Sequence, residues 1–214
     1  QPVDIVRDFA PVVPTSQGTT LLMASPAFAP RNMKDYVAHA RAHPGGINFG
    51  STGPSVVIGA WVHSATRTTF TLVPYKGISA MMTDLMASRL DVAAANLGVA
   101  IPLLKAGKLR TLGVLNSRRS PALPDLPTLQ EQGIEDFDYQ NWLGYVAPAR
   151  TPVAIVNRLN GAFLASIKSP EVVAALEGEG KLPWGATPQE FGQRIATELT
   201  RWRQLARETG YRLE

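Results

Sequence analysis

The sequence predicts an α/β protein with a mainly parallel sheet, and three observations carry that reading. Between residues 20 and 115, short apolar runs alternate with amphipathic stretches of helical length, the pattern of successive βαβ units. In the last third, Thr151-Pro152, Ser169-Pro170 and Thr187-Pro188 each set a hydroxyl before a proline, which opens a helix by combining a cap with a preset φ. With 214 residues, 45% hydrophobic and 18% charged, the chain can bury the core of one large domain or of two small lobes.

Taken in order, Thr20–Ala24 reads as a strand, and Asn32 caps a helix to about Ala42 with Met33, Tyr36, Val37 and Ala40 on one face. After the turn His43-Pro44-Gly45-Gly46, Ile47–Phe49 forms the next strand and residues 55–65 a buried helix. Thr69–Val73 is a strand, punctuated by Pro74-Tyr75-Lys76-Gly77, and the helix at 78–88 carries Met81, Met82, Leu85 and Met86. Strand Leu90–Ala95, helix Val99–Ala106 and strand Leu109–Leu115 follow. Arg119–Gly133 is proline-rich, with a short helix expected near Thr128–Gln132, and Tyr139–Val146 is a strand leading away from the first sheet. Of the three closing helices, the first shows Val156, Leu159, Phe163 and Ile167 at helical spacing. The last has Thr187 and Glu190 as a reciprocal capping box and runs to about Glu208, with Phe191, Ile195, Leu199, Trp202 and Leu205 on one face. These stripes read as core.

Several function classes fall away on composition. The net charge is +4, but the basic residues are scattered and only Arg118-Arg119 form a tight pair, so no phosphate-tracking stripe exists and nucleic acid is not expected as a partner. Without cysteine there are no disulfides, thiol nucleophiles or thiolate metal sites. No run reaches membrane-spanning length and no signal peptide is recognised; because the chain begins at Gln1, it is expected to be a processed or cut product. His39 and His43 are four residues apart, yet no third ligand accompanies them, so they read as surface histidines and no metal is expected. No nucleophile elbow, Ser-His-Asp set or phosphate-loop ending occurs, and His63 reads as a core or edge residue. The expectation is a protein without catalysis and without cofactor.

The segment Phe49-Gly50-Ser51-Thr52-Gly53-Pro54-Ser55 joins a strand to a helix. Gly53 permits positive φ, Pro54 presets the helical φ, and the free N–H groups of the first turn, with the hydroxyls of Ser51, Thr52 and Ser55 and the start of the helix at Val56, can cradle a carboxylate or phosphate. The same residues also serve as a plain helix cap. Pro74, Tyr75, Lys76 and Gly77 either line a cleft or simply end their strand, Lys76 being the best-placed cation for an acid. Asn96, at a strand end, either donates an amide hydrogen bond or makes a turn. Trp142 reads as packing first and pocket wall second.

Six segments in register carry a resemblance. Asp8-Phe9-Ala10-Pro11-Val12, Asn48 to Gly53, Val73 to Gly77, Ala106-Gly107-Lys108-Leu109-Arg110, Arg119 to Thr128 and Trp142 to Pro148 resemble the tripartite tricarboxylate transporter substrate-binding proteins, the Bug family. The resemblance spans essentially the whole chain. It implies a periplasmic-binding-protein-like (type II) receptor of two α/β lobes, located in the periplasm, that closes on a small organic acid and is read by the transporter's membrane subunits. In this family the acid is held by backbone amides, hydroxyls and water. It points to Ser51, Thr52, Gly53, Pro54, Ser55 and Val56 as one ligand loop and to Pro74, Tyr75, Lys76 and Gly77 as another, with Asn96 beside them. Where the family has phenylalanine-aspartate-asparagine, this chain has Ala94-Ala95-Asn96, which removes a carboxylate expected on the pocket wall.

Family members place a strand, a glycine-rich loop and two further units before the Asp-Phe-Ala-Pro element that stands here at Asp8. The expected organisation is therefore an incoming hinge segment and remnant of the first lobe over 1–20, a complete parallel or mixed-sheet lobe over 21–118, a return hinge over 119–147 and the C-terminal helices of the incomplete lobe over 148–214. With the facing loop absent, ligand binding is expected to be weak or lost. The exposed helical stripes are expected to fold back on the remaining lobe, to swap between chains or to form a homodimer. The alternative reading is a shortened receptor acting as a sensor or protein-interaction module without solute transport.

Overall fold

The computed structural model describes residues 3–209. In chain order the elements are α1 (Ile5–Asp8), β1 (Phe9–Gly18), β2 (Thr20–Ala24), α2 (Met33–Ala42), β3 (Asn48–Thr52) and, after a 3-10 turn at Gly53–Ser55, α3 (Val56–Thr66). Then come β4 (Thr71–Tyr75), α4 (Ile78–Met86), β5 (Val92–Asn96), α5 (Leu97–Lys105) and β6 (Arg110–Val114). The chain closes with β7 (Asn141–Pro148), α6 (Val153–Ser166), α7 (Pro170–Gly178), β8 (Lys181–Pro183) and α8 (Pro188–Thr209). Two compact units result, one of residues up to 18 with 141–203 and one of residues 19–140 with the end of α8 from 204.

The second unit holds a five-stranded sheet in the order β4-β3-β5-β2-β6. Strands β4, β3 and β5 are parallel, as strand-helix alternation predicts, whereas β2 runs antiparallel to both β5 and β6 and makes the sheet mixed. Leu21, Met23, Met81, Leu85, Leu90, Ala93, Ala95, Leu97 and Val114 fill one core cluster of this unit. Asn32 caps α2 as its sequence predicts, accepting from the Asp35 N–H, and Met33, Tyr36 and Ala40 are buried while Val37 is half-buried.

Several boundaries differ from the sequence expectation: β3 runs on to Thr52 and α5 starts at Leu97, not Val99. β4 continues through Pro74 and Tyr75 instead of ending at Val73. It lies at the edge of the sheet, where a proline forfeits no hydrogen bond on the outer side. No helix forms at Thr128–Gln132. Thr128 and Glu131 do exchange capping-box hydrogen bonds, but Val114 donates to Pro127 O and receives from Leu129 N, tying the turn to β6 before it can propagate. Residues 119–140 group with the five-stranded sheet in the second unit. The first closing helix starts at Val153 with Pro152, not Thr151, at the cap position and with no side-chain cap.

The first unit is built on a three-stranded antiparallel sheet in the order β7-β1-β8. Its central strand contains Pro11 and Pro14, which a paired strand ordinarily excludes. The strand tolerates them because the ladder slips beside each one, between Pro11 and Val13 and between Pro14 and Ser16, leaving Val12 and Thr15 as extra residues in the manner of β-bulges. Both stranded carbonyls find donors: Asn160 Nδ2 reaches Val12 O at 2.8 Å, and Trp184 N reaches Thr15 O at 3.1 Å.

Alternation along β7 sends Trp142 and Gly144 to one side and Leu143 and Tyr145 to the other. Trp142 packs edge-on to Phe191 of α8 and to Trp184, and its indole N–H donates to Glu198 at 2.8 Å, so this tryptophan serves packing inside the first unit. Gly144 is needed there, since a Cβ would stand 2.5 Å from the Phe191 ring and 2.8 Å from Val13 O. On the other side Tyr145 stacks on Phe163 of α6 at 4.6 Å. The helical stripes pack on the three-stranded sheet of their own unit and not, as expected, on the other lobe: Val156, Ile167, Phe191 and Ile195 are buried. One expected core position is overturned. Leu159 is 39% exposed and its neighbour Asn160 is buried in its place, because the bulge carbonyl at Val12 demands a donor that leucine lacks. The capping box expected at α8 forms as read, with Thr187 N donating to Glu190 and Glu190 N to Thr187 Oγ1.

His63 on α3 gives the second unit a pH dependence. Its Nδ1 is buried without a hydrogen-bond partner, and its ring lies edge-on to Phe70 with centroids 5.9 Å apart. Burial pushes the imidazole pKa below its ordinary value. A histidine with a depressed folded pKa binds fewer protons folded than unfolded, so the stability it permits is whole above about pH 6.5 and drains away as the pH falls through the folded pKa. Thermal melts between neutral and mildly acidic pH should therefore show a steeper fall of Tm for the wild type than for His63→Leu; equal slopes would show that His63 is not responsible.

Candidate functional site: one sheet edge with three helix N-termini

Because β3 pairs in parallel with both β4 and β5, aligning Thr52 with Tyr75 and Gly50 with Ala93, the carboxyl ends of these strands lie side by side. Each strand then feeds a helix: β3 through the turn Gly53–Ser55 into α3, β4 through Lys76-Gly77 into α4, and β5 directly into α5. Three helix N-termini therefore open at one edge, spread over two strand spacings or about 10 Å.

None of the three is closed by its own side chain. Ser55, Gly77 and Asn96 occupy the cap positions, and none of them makes a side-chain cap hydrogen bond. Elsewhere α1, α2 and α7 are capped, with Asp4, Asn32 and Ser169 each accepting from the following turn, while α6, which starts behind Pro152, lacks a side-chain cap as well. In α5 the first N–H is taken, Leu97 N donating to Thr19 O at 2.9 Å; the other first-turn N–H groups of α3, α4 and α5 receive nothing from the cap side chains, and three helix dipoles make the edge favourable to negative charge. An edge of this kind is suited to an anionic group.

The residues expected from the sequence divide into two groups. Gly53 has φ of +43° and a Cβ position facing open space, so it supplies the turn and leaves room above it. Gly53, Lys76, Gly77 and Asn96 are exposed, Thr52, Ser55 and Val56 are half-buried, and all lie at the strand-to-helix junctions of this edge. The Pro54 side chain lies outside the described residues; its backbone occupies the middle of the 3-10 turn, so α3 begins two residues later, at Val56. Ser51 is buried at 3% exposure, with its hydroxyl 3.3 Å from Ser55 Oγ, and Ser55 Oγ accepts from Thr52 N at 2.8 Å. These hydroxyls knit the loop together from beneath. Pro74 is exposed on the edge strand. The Tyr75 hydroxyl is committed to Asp84, donating at 2.7 Å, while Arg89 donates to the other oxygen of the same carboxylate at 3.0 Å. Burial first, and then the Asp84 hydrogen bond, push the Tyr75 pKa up; the Tyr75 and Arg89 hydrogen bonds hold Asp84 below the usual carboxylate range. Tyr75 therefore anchors α4 against β4 with its hydroxyl turned to Asp84.

Sequence reasoning passed over two contributors. The start of α5 adds the third N-terminus without a side-chain cap, although Leu97 N itself donates to Thr19 O, and its sequence signal is Asn96 directly before it. Thr20, at the start of antiparallel β2, faces Asn96 in register, with its hydroxyl 3.3 Å from Asn96 Oδ1 and its N–H donating to Asn116 at 3.0 Å. Ala94 and Ala95, where the resemblance led to the expectation of a pocket wall, are 5% and 2% exposed, and Ala95 lies in the core cluster with Leu21, Leu97 and Ala100. The change to alanine is thus felt inside the sheet, as apolar packing. Among the described residues no three histidine, aspartate or glutamate side chains gather to hold a metal ion, and no helix is long and apolar enough to cross a membrane.

The chain is similar to known proteins along its length. Residues 2–211 match the model of the tripartite tricarboxylate transporter family receptors. A protein from the tcbD-tcbE intergenic region of Pseudomonas sp. (strain P51) is 33% identical over 215 residues, covering 97% of this chain; the chain spans 62% of that relative's length. Among solved structures, Rpa4515 of R. palustris with adipate is 30% identical with a TM-score of 0.85, covering 97% of this chain and 71% of that one. MatC from Rhodopseudomonas palustris with bound malate is 26% identical with a TM-score of 0.81, covering 94% and 69%. The fold is that of the periplasmic solute-binding proteins, and the chain belongs to the tripartite tricarboxylate transporter receptor family.

Proposed function

We propose that this chain is a periplasmic solute-binding protein that captures a small organic acid through a carboxylate and presents it to the membrane subunits of a tripartite transporter, without turnover. The observation that carries the reading is the shared edge of β4, β3 and β5, where three helices start without side-chain caps. Backbone N–H groups there supply directional donors and the dipoles supply the sign of the charge, while Lys76, exposed at the end of β4, can add a point charge at the rim. The adipate and malate held by the two related receptors support a dicarboxylate as ligand. Because one edge of one unit provides these contacts, affinity should be weaker than about 1 μM. Calorimetric titration with adipate, malate, citrate and, as a control, a diamine of adipate's length tests the reading. Saturable binding of one or more of the acids with none of the diamine is expected; equal response to the diamine, or no acid bound at millimolar concentration, refutes it.

A further inference from the structure

Away from the strand-to-helix edge, the second unit has a groove of about 400 Å³ between α2, the last turn of α3 and the turn that follows Thr128. α3 separates it from the edge: the helix starts at Val56 beside the edge and ends at Thr66 in the groove wall, about 15 Å further on. The groove does not depend on the receptor reading.

Its chemistry is divided. Lys34 and Arg41 stand two turns apart on α2, about 10 Å along the axis, both exposed and both in the lining; among the described residues neither belongs to an ion pair. Between and below them lie Val37, Ala65 and Ile134. The other polar groups in the lining are spoken for. Thr66 donates to Val62 O, and the Gln132 amide donates to Leu112 O and accepts from Met33 N. The Asp35 carboxylate on α2 accepts from Arg31 N and from Asn32, and it is not in the lining. What the groove offers a visitor is therefore apolar contact and two positive charges carried by one helix.

We propose that this groove is a docking site for an amphipathic helical segment of a partner protein that carries two carboxylates two turns apart, with apolar side chains between them. The spacing of Lys34 and Arg41 matches that of acidic residues on one face of a helix, and the helix-in-groove mode buries the apolar residues between such anchors. Ala38, Ala65 and Gly133 are exposed, so the groove is open along its length. That suits a chain segment better than a small acid, which would remain solvated on one side.

The test is a charge swap followed by amide chemical shifts. The isotope-labelled chain is titrated with a synthetic amphipathic peptide bearing two glutamates two turns apart and leucines between them; shifts are expected at Ala38, Ala65 and Gly133. The double variant Lys34→Glu, Arg41→Glu alters two exposed side chains, and circular dichroism verifies its fold. It should bind this peptide about ten-fold more weakly and should bind better the peptide in which lysines replace the glutamates. Equal affinity of wild type and double variant for the glutamate peptide, shifts confined to the Gly53 and Gly77 edge, or no shifts at all overturn the proposal. So does octanoate, if it moves the same amides as strongly and with the same dependence on Lys34 and Arg41, since the occupant would then be a small alkyl carboxylate.

Discussion

Asn96→Asp should weaken acid binding at least ten-fold while leaving the protein as stable as before or slightly more so. Asn96 holds the cap position of α5 without a side-chain cap hydrogen bond, at the edge shared with the starts of α3 and α4. An aspartate there would satisfy the helix as a carboxylate cap, worth roughly 0.3–1 kcal/mol, and would fill the site with its own negative charge. The two effects have opposite signs, which separates a binding edge from a merely structural one. Calorimetry for binding and a thermal melt for stability, on the same preparation, read both. Unchanged affinity for the acid would remove the edge from consideration as the site, and a collapsed Tm would show that Asn96 chiefly holds its contact with Thr20.

Asn160→Leu should destabilise the first unit by about 2–4 kcal/mol, since it leaves two carbonyls without their donor. By helical spacing alone the change looks like an improvement, because it extends an apolar stripe that already contains Val156, Phe163 and Ile167. Yet the Asn160 amide donates to Val12 O at 2.8 Å and to Ala186 O at 2.9 Å, and the residue is 7% exposed. The Val12 carbonyl has been taken out of the ladder by the slip beside Pro11, so no strand partner can replace the amide. Urea unfolding followed by tryptophan fluorescence checks this, and a loss within about 0.5 kcal/mol, the range of an ordinary surface change, would mean the bulge is held by other means.

Features decided by neighbouring residues were legible in the sequence. The caps at Asn32, Ser169 and Thr187 form where the sequence places them, because capping involves side chains only a few positions from the N–H groups they serve. The strand-to-helix junction at Gly53 was legible for the same reason. Features decided by topology were not. Pro74 ends a strand by local rules and lies within one here because β4 is an edge. The capping box at Thr128 and Glu131 formed, but Val114 already held both flanking backbone groups. The reversed direction of β2, which brings Thr20 beside Asn96, leaves no mark in the composition of five apolar or small residues. Within the candidate site, the hydroxyls of Ser51 and Tyr75 turn to internal partners that no local pattern announces.

The pairing of β1 with β7 joins Phe9 to Pro148 and Gly18 to Asn141, so one unit is stitched from the two ends of the stretch that encodes the other. During synthesis the five-stranded sheet is complete once residue 140 emerges, while β1 must wait, with its prolines and its unfilled ladder, for a mate made more than a hundred residues later. Long-range closures of this kind are slow and leave an unpaired strand exposed to other chains. Poor recovery from refolding should therefore trace to the early ten-residue segment Phe9–Gly18, and supplying the β7 sequence as a free peptide would shield it.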